Sequence, residues 1–153
     1  MIIRFATLSD KDQIFSLLNE LIAKADKGNK KKKPSGDTTI QREKIFKELL
    51  MREDTKVFVA EENGKLLAVS DLFIVPIMRR GYYQGHIEDF VVTEQMRGKG
   101  IGTKLFNAIR TFCRENNINI IKLTSALELQ PAHEFYKKNG GEFTEKLFRF
   151  ELK

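Results

Sequence analysis

The sequence is poor in features that mark exported, membrane-bound or disulfide-linked proteins. Its one cysteine, Cys113, has no second cysteine in the chain with which to form a disulfide. No apolar run approaches the roughly 18 residues of a membrane span. The segment MIIRFATLSDKD at residues 1–12 lacks the long apolar stretch of a signal peptide. We therefore expect a cytoplasmic protein with no membrane partner and no metal site.

Length and composition predict one domain over residues 1–153. Hydrophobic residues make up 41% and charged residues 31% of the chain, which is typical of soluble proteins. A domain of this length buries roughly 68–70% of the surface that its unfolded chain exposes, which is enough for a substantial core.

The net charge of +6 favours anionic partners. Much of the excess lies in KGNKKKK, residues 27–33. We interpret this lysine run as a solvated loop, and a wall that attracts an anionic substrate stays open as an alternative. Aromatic residues are not interleaved with the lysines. A stacking surface for single strands is therefore poorly supported, and we predict no nucleic-acid partner.

Two helices are predicted in the first third of the chain, after a short β-prone run, IIRFAT. Apolar residues recur at helical spacing through SDKDQIFSLLNELIAKA, which predicts an amphipathic helix capped by Ser9 or Asp10. A second helix is predicted to begin near Thr38 and to continue through Leu50.

The middle of the chain changes to β character. KVFVAEE and KLLAVSDLFIV flank Asn63 and Gly64, a strong hairpin signal. MRRGYYQG is predicted as a loop, and HIEDFVV is predicted as one further strand.

The last third alternates helix and strand. IGTKLFNAIRTFC predicts a helix with one apolar face, and INIIKLTSA is typical of a buried strand. PAHEFYKKN predicts a short helix with Pro131 in its first turn and Gly140 and Gly141 at its end. EFTEKLFRFELK is expected to supply the final β segments. This order predicts a mixed α/β protein with a largely antiparallel central sheet and helices on its faces.

The stretch RGKGIGTKL, residues 97–105, places Gly98, Gly100 and Gly102 at alternate positions directly before a predicted helix. Helix N-termini present unpaired N–H groups and the positive end of the helix dipole, and glycines let a phosphate approach them. Arg97 and Lys99 would add positive charge there. The stretch matches neither the Walker A pattern nor G-x-G-x-x-G, whose third glycine comes one residue later.

In its motifs the sequence resembles the GNAT family of N-acetyltransferases, which bind acetyl-coenzyme A. RGKGIG matches the family's pyrophosphate loop, R/Q-x-x-G-x-G/A, with Arg97, Gly100 and Gly102 at its fixed positions. IEDFVV precedes this loop as in the family's fourth strand, and PAHEFYKKNGGE follows much like its A-x-x-F-Y-x-K-x-G segment. The resemblance covers essentially the whole chain, and it implies a GNAT-like sheet with helices on both faces.

Two branches of the family are closer than the rest. IEDFVV is similar to the polyamine and thialysine acetyltransferases, whereas the tail from LTSA through PAHEFY to FRFEL is similar to the aminoalkylphosphonate acetyltransferases. Many relatives carry an asparagine where this sequence has Leu129, which puts one side-chain contact to the cofactor in doubt. The charge and RRGYY favour an anionic acceptor, whereas IEDF favours a polyamine-like one.

Acetyl transfer to an amine requires a group that accepts a proton from the ammonium. Strand alternation in HIEDF would place His86, Glu88 and Phe90 on one face, with Asp89 on the other. Resemblance to the polyamine branch implies that Glu88 is the base. Asp89 as the base and His86 as a proton relay stay open as alternatives.

The departing thiolate requires a proton donor, and resemblance to the family's tyrosine implies that Tyr136 is this acid. In the family, main-chain groups at Val91 and Val92 pair with the pantetheine arm and polarise the acetyl carbonyl. The cofactor-binding residues that the resemblance implies are Phe90, Val91, Val92, Arg97, Gly98, Lys99, Gly100, Ile101, Gly102, Thr103, Ala132, Phe135 and Lys138.

The resemblance thus implies direct, acetyl-CoA-dependent transfer to a primary amine of a small molecule by a homodimer. Cys113 is then interpreted as a core residue and not as a nucleophile. A non-catalytic acetyl-CoA-binding module and a protein or peptide N-acetyltransferase stay open as alternatives. The acceptor groove would be formed by the first two helices and MRRGYYQG.

Overall fold

A computed structural model describes residues 1–25 and 38–152 of the chain. The predicted lysine run at 27–33 lies outside the described residues. The chain divides into two compact units, residues 1–123 and 124–153, which are described separately below. The single domain over 1–153 stays a prediction.

Within the described residues the chain forms six strands and four α-helices: β1 (Ile2–Phe5), α1 (Lys11–Ala25), α2 (Thr38–Met51), β2 (Thr55–Glu62), β3 (Lys65–Ile77), β4 (Tyr82–Ile87), β5 (Phe90–Val92), α3 (Ile101–Glu115), β6 (Ile121–Leu123) and α4 (Gln130–Lys138).

The first unit is built on one mixed sheet with the strand order β1-β2-β3-β4-β6, in which β5 also pairs with β3. Every pair of neighbouring strands is antiparallel except β4 and β6, which are parallel. The predicted class, mixed α/β with a largely antiparallel sheet, is therefore confirmed. The predicted hairpin is also confirmed: Asn63 and Gly64 have φ angles of 52° and 76°, as a two-residue type I′ turn requires.

Both faces of this sheet are covered. Ile14 and Leu17 of α1 and Phe46 of α2 pack in one buried cluster with Val57 of β2 and Val69 of β3. Because side chains alternate between the faces of a strand, the neighbours of these residues point to the opposite face.

α3 lies on that opposite face. Phe58 of β2 contacts Phe112 of α3 with 5.7 Å between ring centroids. Cys113 of α3 is 2% exposed, which confirms its predicted burial. Burial raises the pKa of its thiol to about 11, so the sulfur stays protonated at neutral pH.

Several local predictions are wrong. Of the predicted buried strand INIIKLTSA, only Ile121–Leu123 form β6, and these three residues are half-buried. Residues 82–85 of the predicted loop belong to β4, and the single predicted strand HIEDFVV is divided at Glu88 and Asp89 into β4 and β5. The predicted caps Ser9 and Asp10 lie inside a 3₁₀ turn, Leu8–Asp10, that runs into α1. The Asp10 carboxylate instead accepts a hydrogen bond from the Thr7 N–H at 2.7 Å.

The last correction concerns the end of the chain. Residues 141–152 contain neither helix nor strand, so the predicted final β segments are not formed. The alternating apolar side chains of this segment are exposed, Phe143 and Phe150 among them. A β-strand requires a partner for its main-chain groups, and the strand pairs found in the described chain do not include residues 141–152.

Candidate active site

The glycine stretch forms the turn between β5 and α3. Gly98 and Gly100 have φ angles of 74° and 80°, in the left-handed region that favours glycine. Gly100 is the N-cap of α3, and no side chain caps this helix in the described part of the chain. The first N–H groups of α3, at Ile101, Gly102 and Thr103, are therefore directed to the open end of the helix.

Arg97 holds this turn against β5 and α1. Its Nε donates to the Val92 carbonyl at 3.0 Å, and its guanidinium lies 3.9 Å from the Glu20 carboxylate. Glu20 also accepts from the Thr93 hydroxyl and from the Glu94 N–H, both at 2.9 Å. Lys99 is exposed, with its Nζ 3.5 Å from Met96 Sδ. Arg97 thus orders the turn, while Lys99 faces solvent.

β5 presents its main chain in two directions. The Asp71 N–H donates to the Asp89 carbonyl and the Thr93 N–H to the Leu67 carbonyl, so residues 89, 91 and 93 face β3. The main-chain groups of Phe90 and Val92 therefore point away from β3. The Val91 side chain is buried, and the Phe90 ring lies 6.1 Å from that of Phe106.

A β-bulge separates β4 from β5. His86 is opposite Phe73, whereas Phe90 is opposite Ser70. Three residues, 87–89, thus lie opposite two residues of β3, 71–72. Phe73 and Ser70 are on opposite faces of β3, so His86 and Phe90 are also on opposite faces. The prediction that His86, Glu88 and Phe90 share one face is wrong, because it assumed an unbroken strand.

The structure does bring Glu88 and His86 together. His86 Nε2 and Glu88 Oε2 are 3.0 Å apart, and the Glu88 side chain is 63% exposed. The bulge therefore presents a carboxylate to solvent with an imidazole in contact, as a base and relay would require.

Asp71 and Asp89 form the buried side of the bulge. Asp71 Oδ1 accepts hydrogen bonds from the N–H groups of Glu88 at 2.9 Å and of Asp89 at 3.0 Å. Burial raises the pKa of Asp71 to about 6, although the two N–H groups act in the opposite direction. Burial also raises the pKa of Asp89, with a further contribution from the Glu88 charge.

Both carboxyl groups line a cleft of about 190 Å³ between α1, α2 and the sheet, which we call the α1–α2 cleft. Its other walls are mostly apolar, and Arg42 of α2 supplies a positive charge. The Arg42 guanidinium lies 4.6 Å above the Phe15 ring, and Nη1 donates to Asn19 at 3.0 Å. Its Nη2 is buried and has no partner among the described residues.

The second unit, described by itself, contains α4. Gly140 has a φ angle of 82°, and the N–H groups of Gly140 and Gly141 donate to the carbonyls of Lys137 and Tyr136. This Schellman motif confirms the predicted helix end. Ala132, Phe135 and Lys138 all lie on α4.

Tyr136 is half-buried on α4, and its ring contacts that of Phe135 with 5.4 Å between centroids. Burial raises the pKa of the phenol to about 12, so Tyr136 keeps its proton throughout the neutral range. Its side chain can therefore donate a hydrogen bond, and the raised pKa makes the phenol a weaker acid than free tyrosine.

Three residues were missed in the sequence: Glu20, Arg42 and Asp71. Glu20 and Arg42 occur in helices rich in charged residues, where nothing distinguishes them from solvated ones. Asp71 carried a signal, because a carboxylate inside the apolar run LLAVSDLFIV demands a buried partner. In the described part of the chain no three His, Cys, Asp or Glu side chains are grouped as a metal site would need. No helix there has the length and apolar character to cross a bilayer.

Comparison with known proteins gives a family for this chain. Residues 17–141 match the sequence profile of the acetyltransferase (GNAT) family. An uncharacterised N-acetyltransferase of Methanocaldococcus jannaschii is 34% identical over 100 residues, which are 63% of this chain and 43% of that protein. The glucosamine 6-phosphate N-acetyltransferase of Trypanosoma brucei brucei is 33% identical over 99 residues, 64% of this chain and 65% of that protein. The chain thus spans less than two thirds of these two relatives.

Alignments over nearly the whole chain find an N-acetyltransferase sequence and solved structures with the same fold. The aminoalkylphosphonate N-acetyltransferase of Salmonella typhimurium is 25% identical over 148 residues, 97% of this chain and 88% of that protein. A transcriptional regulator from Bacillus halodurans has the same fold, with a TM-score of 0.84 at 22% identity over 99% of both chains. A predicted acetyltransferase of Clostridium acetobutylicum, solved with acetyl-CoA, has a TM-score of 0.76 at 22% identity over 98% of this chain and 95% of its own.

Proposed function

This chain belongs to the acetyltransferase (GNAT) family, and we propose that it transfers an acetyl group from acetyl-CoA directly to a primary amine of a small molecule. The observation that carries the proposal is the turn of residues 97–102, where two left-handed glycines lead into α3. That arrangement fits a pyrophosphate, because no side chain of the described residues caps the N–H groups at the start of α3 and the helix dipole adds positive potential.

In the first unit, two segments would hold the cofactor. The pyrophosphate would bind the N–H groups of residues 98–103, with Lys99 adding charge from the solvent side. The pantetheine arm would lie along residues 90–92, where the main chain of Phe90 and Val92 points away from β3. Ala132, Phe135 and Lys138 of α4 are proposed as further contacts. When bound, acetyl-CoA supplies an activated thioester.

Glu88 is proposed as the base. Its exposed carboxylate can accept a proton from an incoming ammonium, and His86 at 3.0 Å can pass that proton to solvent. A main-chain N–H of β5 would stabilise the negative charge that develops on the acetyl oxygen. Tyr136, which keeps its proton at neutral pH, would donate it as the sulfur leaves.

The acceptor is proposed to enter through the α1–α2 cleft. Asp89 and Asp71 favour an ammonium group there. The buried Nη2 of Arg42, which has no partner among the described residues, favours a second, anionic group on the same molecule. The Trypanosoma and Salmonella relatives are named for amines that carry a phosphate or a phosphonate. We therefore expect amines with an anionic substituent to have a lower KM than polyamines.

Release of free coenzyme A with a panel of amines tests the proposal. The panel contains amino sugar phosphates, aminoalkylphosphonates, polyamines and a lysine peptide. Wild-type protein should turn over at least one small amine, and Glu88→Gln and Tyr136→Phe should each lower kcat by roughly 10²–10⁴. Acetyl-CoA affinity should survive both changes, and Glu53→Gln, an exposed glutamate before β2, should have no effect.

Other outcomes would decide for the alternatives. Tight binding of acetyl-CoA without turnover of any amine would support a non-catalytic binding module. Turnover of the peptide alone would support a protein or peptide N-acetyltransferase. Homodimer formation and a cytoplasmic location stay predictions, the first of which sedimentation of the purified protein would decide.

A further inference from the structure

The β-bulge at Glu88 and Asp89 creates a hydrogen-bonding problem that the sheet alone cannot solve. An extra residue in one strand leaves main-chain groups without a position in the ladder. Asp89 is only half-exposed, and a buried N–H without a partner is strongly destabilising. The bulge therefore requires an acceptor from outside the ladder.

Asp71 of β3 supplies this acceptor. Its Oδ1 accepts from the N–H groups of Glu88 and Asp89 at 2.9 and 3.0 Å, and its own N–H donates to the Asp89 carbonyl at 3.2 Å. Asp71 is 8% exposed, so few alternative partners can compete for its carboxylate. Three hydrogen bonds from one residue thus define the path of the bulge.

We propose that Asp71 is a positioning residue of the acetyl-transfer site: its carboxylate fixes the bulge so that Glu88 points to solvent beside His86 while Phe90–Val92 resume pairing with β3. This inference rests on the proposed function for the role of Glu88. The geometric part does not, because it concerns the conformation of the bulge itself. A loss of this anchor should displace Glu88, and a displacement of about 1 Å can lower a rate by about 10²-fold.

Two substitutions separate positioning from simple support of the fold. Asp71→Ala removes the acceptor, and we expect kcat to fall by about 10²-fold while acetyl-CoA affinity changes less than about threefold. Asp71→Asn keeps an oxygen that accepts both N–H groups, and we expect kcat to remain within about tenfold of wild type. Asp54→Ala, at an exposed aspartate that pairs with Arg52, is the matched control and should be neutral.

Amide hydrogen exchange gives a second readout that does not depend on activity. The N–H groups of Glu88 and Asp89 should exchange at least about tenfold faster in Asp71→Ala, while Val59 and Ile109, both fully buried, keep their protection. Asp71→Asn should restore protection at the bulge.

Two results would overturn the positioning role. One is that the N–H groups of Glu88 and Asp89 exchange in Asp71→Ala at the same rates as in wild type. The other is that Asp71→Ala and Asp71→Asn lose kcat equally while the bulge stays intact. An inactive wild-type protein would instead refute the proposed function, and the exchange data would still decide whether Asp71 holds the bulge.

Discussion

The turn at residues 97–102 and the bulge at residues 88–89 differ in whether a side chain accepts hydrogen bonds from their main-chain N–H groups. In the turn, left-handed Gly98 and Gly100 lead to helix N–H groups that no side chain caps in the described chain. In the bulge, one buried carboxylate accepts both N–H groups. The first arrangement leaves donors for a ligand, whereas the second uses them to fix a conformation. Donors that lack a side-chain acceptor therefore indicate binding, and donors that have one indicate positioning.

The largest expected effect is a loss of acetyl-CoA affinity on substitution of Gly100 in the turn of residues 97–102. Gly100→Val forces a β-branched residue into the left-handed region and shields the N–H groups that a phosphate would approach. We expect acetyl-CoA affinity to fall by about 10²-fold, measured by calorimetry. Wild-type protein should gain about 2.7 kcal/mol of stability at a hundredfold excess of acetyl-CoA over its Kd, and the variant should gain almost none.

Gly64→Val is the matched control for this change. Gly64 has a φ of 76°, close to the 80° of Gly100, and at both positions an added Cβ meets no atom within 4 Å. Both variants should lose similar stability, but Gly64→Val should keep wild-type affinity. Equal losses of affinity would mean that the glycines of residues 97–102 serve the fold and not the ligand.

An intermediate effect concerns the stability of the bulge. The pKa of Asp71 is about 6 in the folded protein and near 3.8 in the unfolded chain. Between these two pH values the folded state therefore binds more protons than the unfolded state. The free energy of unfolding should therefore fall as pH rises from about 4 to 6. Above about pH 6 the destabilisation caused by ionised Asp71 should be complete. Among the described residues, Glu88 and Asp89 of the bulge and Arg42 of α2 are the charged groups that face Asp71 or share its cleft.

Asp71→Asn removes this titration and keeps the acceptor oxygen. Its unfolding free energy, relative to wild type, should grow by about 1–3 kcal/mol between pH 4 and pH 7 in urea titrations. A difference that is constant across this range would show that Asp71 does not titrate there. If Asp71→Asn is more stable than wild type but has a lower kcat, the negative charge of Asp71 supports activity and lowers the stability of the fold.

The smallest expected effect is at Lys99. Its exposed ammonium would contact a phosphate through solvent, so Lys99→Ala should raise the Kd of acetyl-CoA by about two- to fivefold at low salt. The difference should disappear at about 1 M salt, where charges are screened beyond about 3 Å. Lys65→Ala, in the hairpin, is the control. A loss of acetyl-CoA affinity above about fiftyfold in Lys99→Ala would mean that the Lys99 side chain, and not the main chain, is the main source of phosphate affinity.

Much of the fold followed from local patterns. The alternation around Asn63 and Gly64 predicted the hairpin, and the apolar periodicity of residues 101–113 predicted α3, because these signals depend on neighbours in the chain. The glycines of residues 97–102 could be recognised for the same reason, since backbone freedom is a property of residue type. Tyr136 was placed on a helix from Pro131 at its start and Gly140 and Gly141 at its end.

What the sequence could not determine is where pairing between distant strands breaks. One extra residue opposite β3 moved Phe90 to the face opposite His86, and no local signal distinguishes HIEDFVV from an unbroken strand. The partner that stabilises this break, Asp71, lies 17 residues before Glu88. Residues 141–152 alternate like a strand without forming one, because strand formation needs a partner edge. Residue type and local periodicity thus determined the glycine turn of residues 97–102, and only the tertiary register decided how the carboxylates of Glu88, Asp89 and Asp71 are arranged.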